Sequence, residues 1–126
     1  MRHQPRLNFF IFFTQPRTYA VTNNRIYEKR RAAVARALKA AGGGIALLPT
    51  APEVPRNRDS DFPYRHDSYF YYLTGFSEPN ACLVLSADGR STLFCQPKDM
   101  EREIWDGVRL GPDAALSQLA VHEAWP

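Results

Sequence analysis

His66 and Asp67 stand side by side, and this pair of residue types ligates a metal or relays a proton in some metal-dependent hydrolases. Neighbouring side chains on a strand or helix point in different directions, so the pair needs further ligands from elsewhere in the chain. His122 and Glu123 adjoin each other near the last residue, and His3 lies in an unusual leader. No Cys-x-x-Cys or His-Glu-x-x-His spacing connects them. Structural and catalytic metal sites take about three or four converging ligands. No metal site and no catalytic residue is therefore expected within this chain, and the plainer reading makes His66 a surface residue and Asp67 a helix cap.

Other chemistries leave still less. A serine nucleophile would sit in a Gly-x-Ser-x-Gly elbow, which is missing. Gly42, Gly43 and Gly44 follow a helical pattern instead of opening a helix after a strand, so they read as a stop signal and not as a phosphate loop. The aromatics around Arg65 could stack on bases, but no RNA-binding signature accompanies them. The formal charge is +3, with Lys and Arg scattered along the chain, which is only a weak argument for nucleic acid, and no nucleic-acid partner is expected. Cys82 and Cys95 each sit in a short apolar run, where a thiol packs as a small hydrophobe, and a reducing cytoplasm fits that usage best.

The elements that would carry any site come next. With 126 residues, 44% apolar and 23% charged, the chain has the size and composition of one soluble domain. Residues 1–24 differ from the rest. Phe9 to Phe13 form an apolar run after Arg2 and Arg6, shorter than the roughly 7–15 residues of a signal core or the about 20 of a membrane helix. An irregular extension packing by its phenylalanines, or a start assigned too far upstream, is expected there, with no membrane partner.

From Arg25, the residues Ile26, Tyr27, Val34, Ala37, Leu38 and Ala41 fall on one arc of an amphipathic helix, opposite Glu28, Lys29, Arg36 and Lys39. Asn23 and Asn24 can cap its start. Arg30 lies within the apolar arc and must snorkel outward or find an acidic partner. The string Glu28 to Arg36 is read as a solvated helix face. Ile45 to Leu48 reads as a buried strand, and the segment bearing Pro49, Pro52, Pro55 and Pro63 as a surface loop.

Tyr69 to Leu73 show no periodicity, but Asp67 or Ser68 as N-cap and Gly75 as stop favour a short helix burying its aromatics on several sides. Ala81–Leu85 and Thr92–Cys95 flank Asp88-Gly89, a hairpin signal suited to a tight type I′ turn. Asp99 can cap a short helix through Glu103 that Gly107 breaks, and Gly111-Pro112-Asp113 opens another towards Leu119. A further element should begin near Pro126.

The run from Glu53 through Gly111 resembles the N-terminal domain of Xaa-Pro aminopeptidase, also called aminopeptidase P. "DSDFPYR", "DSYFYYLTGFSEP" and "EIWDGVRLG" come in that family's order and spacing, and "IYEKRRAAVARAL" sits where its first helix sits. The resemblance covers residues 25 to 124 and implies an α/β fold. The expected architecture is a mixed β-sheet flanked by helices, of the creatinase/prolidase N-terminal domain kind, over residues 25–126 and incomplete at its C-terminus.

What the family implies for function goes further. Its members are metallopeptidases that remove an N-terminal residue ahead of proline, with two metal ions, usually manganese, activating a bridging water. The ligands, two Asp, one His and two Glu, belong to a C-terminal "pita-bread" domain that this chain lacks. The N-terminal domain is then expected to serve assembly into dimers or tetramers and shaping of the substrate site. Its implied partners are the catalytic domain, further copies of itself and a proline-containing peptide.

Two positions match family residues that line that site. Asp59 would engage a substrate's ammonium terminus across a subunit boundary, and Trp105 would pack beside a leaving residue or its proline. Otherwise Asp59 caps or pairs locally and Trp105 covers the core. Phe62, Tyr64, Phe70 and Tyr72 are expected to anchor their segment on the sheet while Asp59, Asp61 and Arg65 face a partner. A free-standing interaction domain descended from such an enzyme, and a nucleic-acid binder, are the alternatives.

Overall fold

The computed structural model describes residues 24–126. The expected extension over 1–24 and the cap at Asn23 lie outside the described residues, save Asn24 itself. In chain order the elements are α1 (Asn24–Ala40), β1 (Ile45–Pro49), β2 (Pro55–Asn57), β3 (Ser60–Asp61), α2 (Ser68–Thr74), β4 (Cys82–Ser86), β5 (Ser91–Phe94), α3 (Met100–Asp106), α4 (Pro112–Gln118) and β6 (Glu123–Trp125). The main sheet runs β1-β4-β5-β6, and β2 and β3 form a separate hairpin. β1 and β5 pair antiparallel with β4, whereas β6 lies parallel to β5, so the sheet is mixed. A parallel neighbour needs a crossover, which α3 and α4 provide between β5 and β6.

Alternation along the strands places the core on one face. Leu83, Leu85, Leu93 and Cys95 are buried beneath Phe70, Leu73 and Phe76 from α2 and its exit, and beneath Ala115 and Leu119 from α4. Ala46, Leu48 and Ala124 extend that face across β1 and β6, and Val34 of α1 packs on it. The other face is open. Ile45 and Leu47 are 62% and 64% exposed, and Phe94 and Trp125 are exposed as well. β1 is therefore an edge strand covered on one side, not the buried strand its apolar run predicts, because only its alternate residues meet the helices.

α1 also turns differently from its apolar arc. Its inward stripe is Tyr27, Arg31, Val34, Ala35 and Leu38, with Ile26, Ala37 and Ala41 exposed. Arg31 is 4% exposed, and its guanidinium makes the difference. It donates to the carbonyls of Leu73 (2.9 Å), Leu119 (3.2 Å) and Ala120 (2.9 Å), the unpaired ends of α2 and α4. Three hydrogen bonds compensate a buried charge that an apolar pattern excludes. Arg30 neither snorkels free nor meets an acid among the described residues: it lies over the Tyr72 ring at 4.0 Å and donates to the Tyr72 carbonyl at 3.1 Å. Asn24 is the first helical residue, and its side-chain amide donates to the Gln118 carbonyl at 2.8 Å.

The β4–β5 hairpin forms as expected, but its turn is not type I′. Asp88 keeps a negative φ while Gly89 alone is left-handed, at 95°. Ser86 and Arg90 pair across a three-residue loop, with Gly89 donating to the Ser86 carbonyl at 3.0 Å. That is the geometry in which a single left-handed residue closes a longer hairpin loop. α2 follows its signals: the Asp67 carboxylate accepts from the Phe70 amide at 2.8 Å, and Gly75 ends it at φ 68°. Its aromatics do not follow. Phe70 is buried, but Tyr69, Tyr71 and Tyr72 are exposed, since a seven-residue helix of about two turns presents only one side to the sheet.

Candidate functional site

Asp59 is carried by a structure built inside the proline-rich segment. Where a loop is expected, Pro55 pairs with Asp61 and Asn57 with Ser60, leaving Arg58 and Asp59 as the turn. The Ser60 hydroxyl donates to the Asn57 side-chain oxygen at 2.6 Å, and the Phe62 amide donates to the Val54 carbonyl at 2.9 Å. Arg56 lies over the Phe62 ring at 5.8 Å, so these two exposed side chains cover each other and Phe62 does not reach the sheet. The base is tied by Tyr64, whose hydroxyl donates to the Ala51 carbonyl at 2.9 Å and meets the Thr50 hydroxyl at 3.0 Å. At the tip the Asp59 carboxylate is exposed and forms no hydrogen bond or ion pair with the described residues.

Trp105 has a similar setting on a different element. It is 87% exposed on α3, a helix with no buried residue. The covering role open to this tryptophan is thereby ruled out. Asp99 caps the helix by accepting from the Glu101 and Arg102 amides at 3.1 and 3.2 Å, and the helix runs three residues past Glu103 before Gly107 ends it. Below it lies a ring of polar contacts. Lys98 Nζ meets Glu103 Oε1 at 2.7 Å and donates to the Arg109 carbonyl at 2.9 Å, while the Arg109 amide donates to Glu103 Oε1 at 3.1 Å. The Lys98 ammonium, with the Arg109 amide behind it, holds the Glu103 carboxyl below the usual glutamate range.

Glu78, buried and passed over by the sequence analysis, ties this region to the core by accepting from the Leu110 amide at 3.0 Å. A glutamate between Ser77 and Pro79 carries no pattern that announces burial. Burial, with the Glu78 charge added, pushes the Cys95 thiol up to about 11. An open groove beside β6 is lined by Lys98, Val108, Leu110, Pro112, Ala124 and Trp125, and neither Asp59 nor Trp105 reaches it.

The two histidines among the described residues are occupied structurally. His66 stacks on Tyr71 with ring centroids 4.3 Å apart, and Asp67 is spent on the α2 cap. His122 Nδ1 accepts from the Ser91 amide at 3.1 Å, which fixes β6 against β5, and Glu123 pairs with Arg90. Among the described residues, no three of His, Cys, Asp or Glu gather in a way that could hold a metal ion. The manganese pair that the resemblance implies therefore finds no ligand set in them, and no chemical step through it is derived for this chain. No helix among the described residues is long and apolar enough to cross a membrane.

The family profile "Aminopeptidase P, N-terminal domain" matches residues 27–126. Over 102 residues the chain is 44% identical to the Xaa-Pro aminopeptidase of Escherichia coli (strain K12), covering 78% of this chain and 23% of that protein. Over 81 residues it is 35% identical to Xaa-Pro aminopeptidase 3 of Homo sapiens, covering 59% and 16%. The solved structure of aminopeptidase P from E. coli superposes with a TM-score of 0.74 at 42% identity, over 81% of this chain and 24% of that one. The chain thus spans about a quarter of the bacterial relative's length. By the family profile and by the agreement of sheet and helices, this chain belongs to the aminopeptidase P N-terminal domain family.

Proposed function

We propose that this domain serves a Xaa-Pro aminopeptidase as its non-catalytic N-terminal part, shaping the substrate site and supporting assembly. The observation that carries this reading is the shared setting of Asp59 and Trp105. Each stands exposed on a short excursion whose own strands or helix bury no residue, with its base tied down by polar contacts. A carboxylate held this way suits a peptide's ammonium end, and an indole suits a proline ring or the residue ahead of it. The reaction itself belongs to a catalytic domain bearing the manganese ligands, which would supply the activated water.

The open sheet face with Ile45, Leu47, Phe94 and Trp125, together with the exposed Tyr69 and Tyr72, supports a surface covered by that domain or by further copies in a dimer or tetramer. Free thiols at Cys82 and Cys95 support a cytoplasmic setting. A free-standing interaction domain would use the same surfaces, and turnover separates the two readings. Fusing this chain in frame to the C-terminal part of the E. coli relative should give a manganese-dependent enzyme that releases the first residue of an Xaa-Pro peptide. Asp59→Asn and Trp105→Ala should each lower its kcat/KM. A folded, manganese-loaded fusion that is inactive, or one indifferent to both substitutions, would sink the proposal.

A further inference from the structure

We propose that Glu103 is a positioning residue: bonded to Lys98 before α3 and to the Arg109 amide after it, its carboxylate sets the rotation of α3 and so the direction in which Trp105 points. This rests on the reading of Trp105 as a substrate-lining residue. A seven-residue helix without a buried side chain is too short to persist in water by its own hydrogen bonds. Its caps satisfy the terminal amides but do not orient it against the domain. Apolar contact does not orient it either, since Met100, Ile104 and Trp105 all face solvent.

Glu103 is the exception. Its side chain is 11% exposed, turned inward onto Lys98 and Arg109. Two residues along a helix subtend roughly 200°, so a carboxylate held inward at 103 drives the indole at 105 outward. An ionic and hydrogen-bonded anchor is directional, where a greasy one would allow the helix to roll. The excursion is also pinched at its base. A Cβ on Gly111, whose φ is +76°, would meet the Lys98 Cβ at 3.2 Å and the Lys98 amide nitrogen at 3.4 Å. Residues 98–111 thus leave and rejoin the domain at one point, as in compact loops closed at the neck. The Leu110 amide on Glu78 fastens that neck to the core.

The test uses the intact chain with Trp125→Phe, which leaves Trp105 as the single tryptophan, and reads its time-resolved fluorescence anisotropy without substrate. Glu103→Ala and Lys98→Ala should each increase the amplitude of nanosecond indole motion, about twofold, with the main thermal transition almost unmoved. Lys98→Arg, which keeps the ion pair, should restore the parent decay. Lys98 is exposed enough that its substitution leaves the fold intact if Glu103→Ala does not. Unchanged anisotropy in the alanine variants, or failure of Lys98→Arg to restore it, overturns the proposal. Should the alanine variants free the indole while Trp105→Ala leaves peptide turnover by the fusion unchanged, the positioning role holds and the substrate role of Trp105 fails.

Discussion

Nη1 of Arg31 donates to the Leu73 carbonyl at 2.9 Å, and through this bond the first helix holds the last turn of the second. The same guanidinium reaches Leu119 and Ala120 through Nη2, so the C-terminal ends of α2 and α4 share one cation. Helix C-termini expose unpaired carbonyls and carry partial negative charge, which makes a planar fork of N–H donors their natural complement. Ala120 adopts a left-handed φ of 51°, uncommon for a residue other than glycine, at the point where its carbonyl meets Arg31. Burial lowers the Arg31 pKa, and Glu28 one turn earlier offsets part of that.

Arg31→Ala is expected to be the most damaging change in α1. Stranding three carbonyls, two of them in buried contacts, and opening a cavity should cost about 3 kcal/mol or more, read as a lowered urea midpoint. Arg31→Lys should recover little of it, because a single ammonium cannot serve two helix ends in the guanidinium plane. Full stability in Arg31→Lys would refute the account.

Asp67→Ala should cost about 1 kcal/mol by leaving the Phe70 amide without its acceptor. Asp67→Asn or Asp67→Ser should lose much less. Thermal melts of the three variants in parallel check the order.

The Cys95 thiol is buried and pushed up to about 11, so iodoacetamide near neutral pH should label Cys82 and spare Cys95 until the domain unfolds. The linkage has a definite sign. An unfolded thiol ionises near about 8.5 whereas the folded one keeps its proton. Stability from this group is whole below that value and falls as pH rises towards about 11. Cys95→Ala should flatten this alkaline decline, as followed by urea titrations across the range.

Asp59→Asn and Trp105→Ala should change stability by no more than about 0.5 kcal/mol, because neither side chain is buried. In the fused enzyme each should lower kcat/KM by about 10- to 100-fold, the range for losing one charge-assisted or well-packed contact. Peptide hydrolysis and melting curves on the same preparations separate the two effects.

Acid should release Trp105. The Glu103 carboxyl, faced by Lys98 and the Arg109 amide, titrates below its ordinary range, so its tie is present above the usual value of about 4.3 and is lost as pH falls through the lower folded one. Indole anisotropy in the Trp125→Phe chain should drop across that window, and Glu103→Gln should remove the pH dependence.

Local signals in the chain were enough for every element whose cause is local. Asp67 and Gly75 bound α2, Asp99 and Gly107 bound α3, Gly111 and Pro112 open α4, and the Ser86–Arg90 turn joins two apolar runs. The family resemblance likewise follows from strings of adjacent residues, and Asp59 and Trp105 stand out by it alone. What a side chain faces is a matter of neighbours distant in sequence, and there only the fold could decide. Arg31 is inside because two helix ends 42 and about 89 positions away bring carbonyls to it, and no periodicity of α1 records them. Ile45 and Leu47 are outside because none of the described residues buries that side of β1, and β6 exists because its residues find β5 across two intervening helices. Glu103 anchors α3 through partners on both flanks that meet only after the excursion closes, so its role arises from tertiary contact and not from helix propensity.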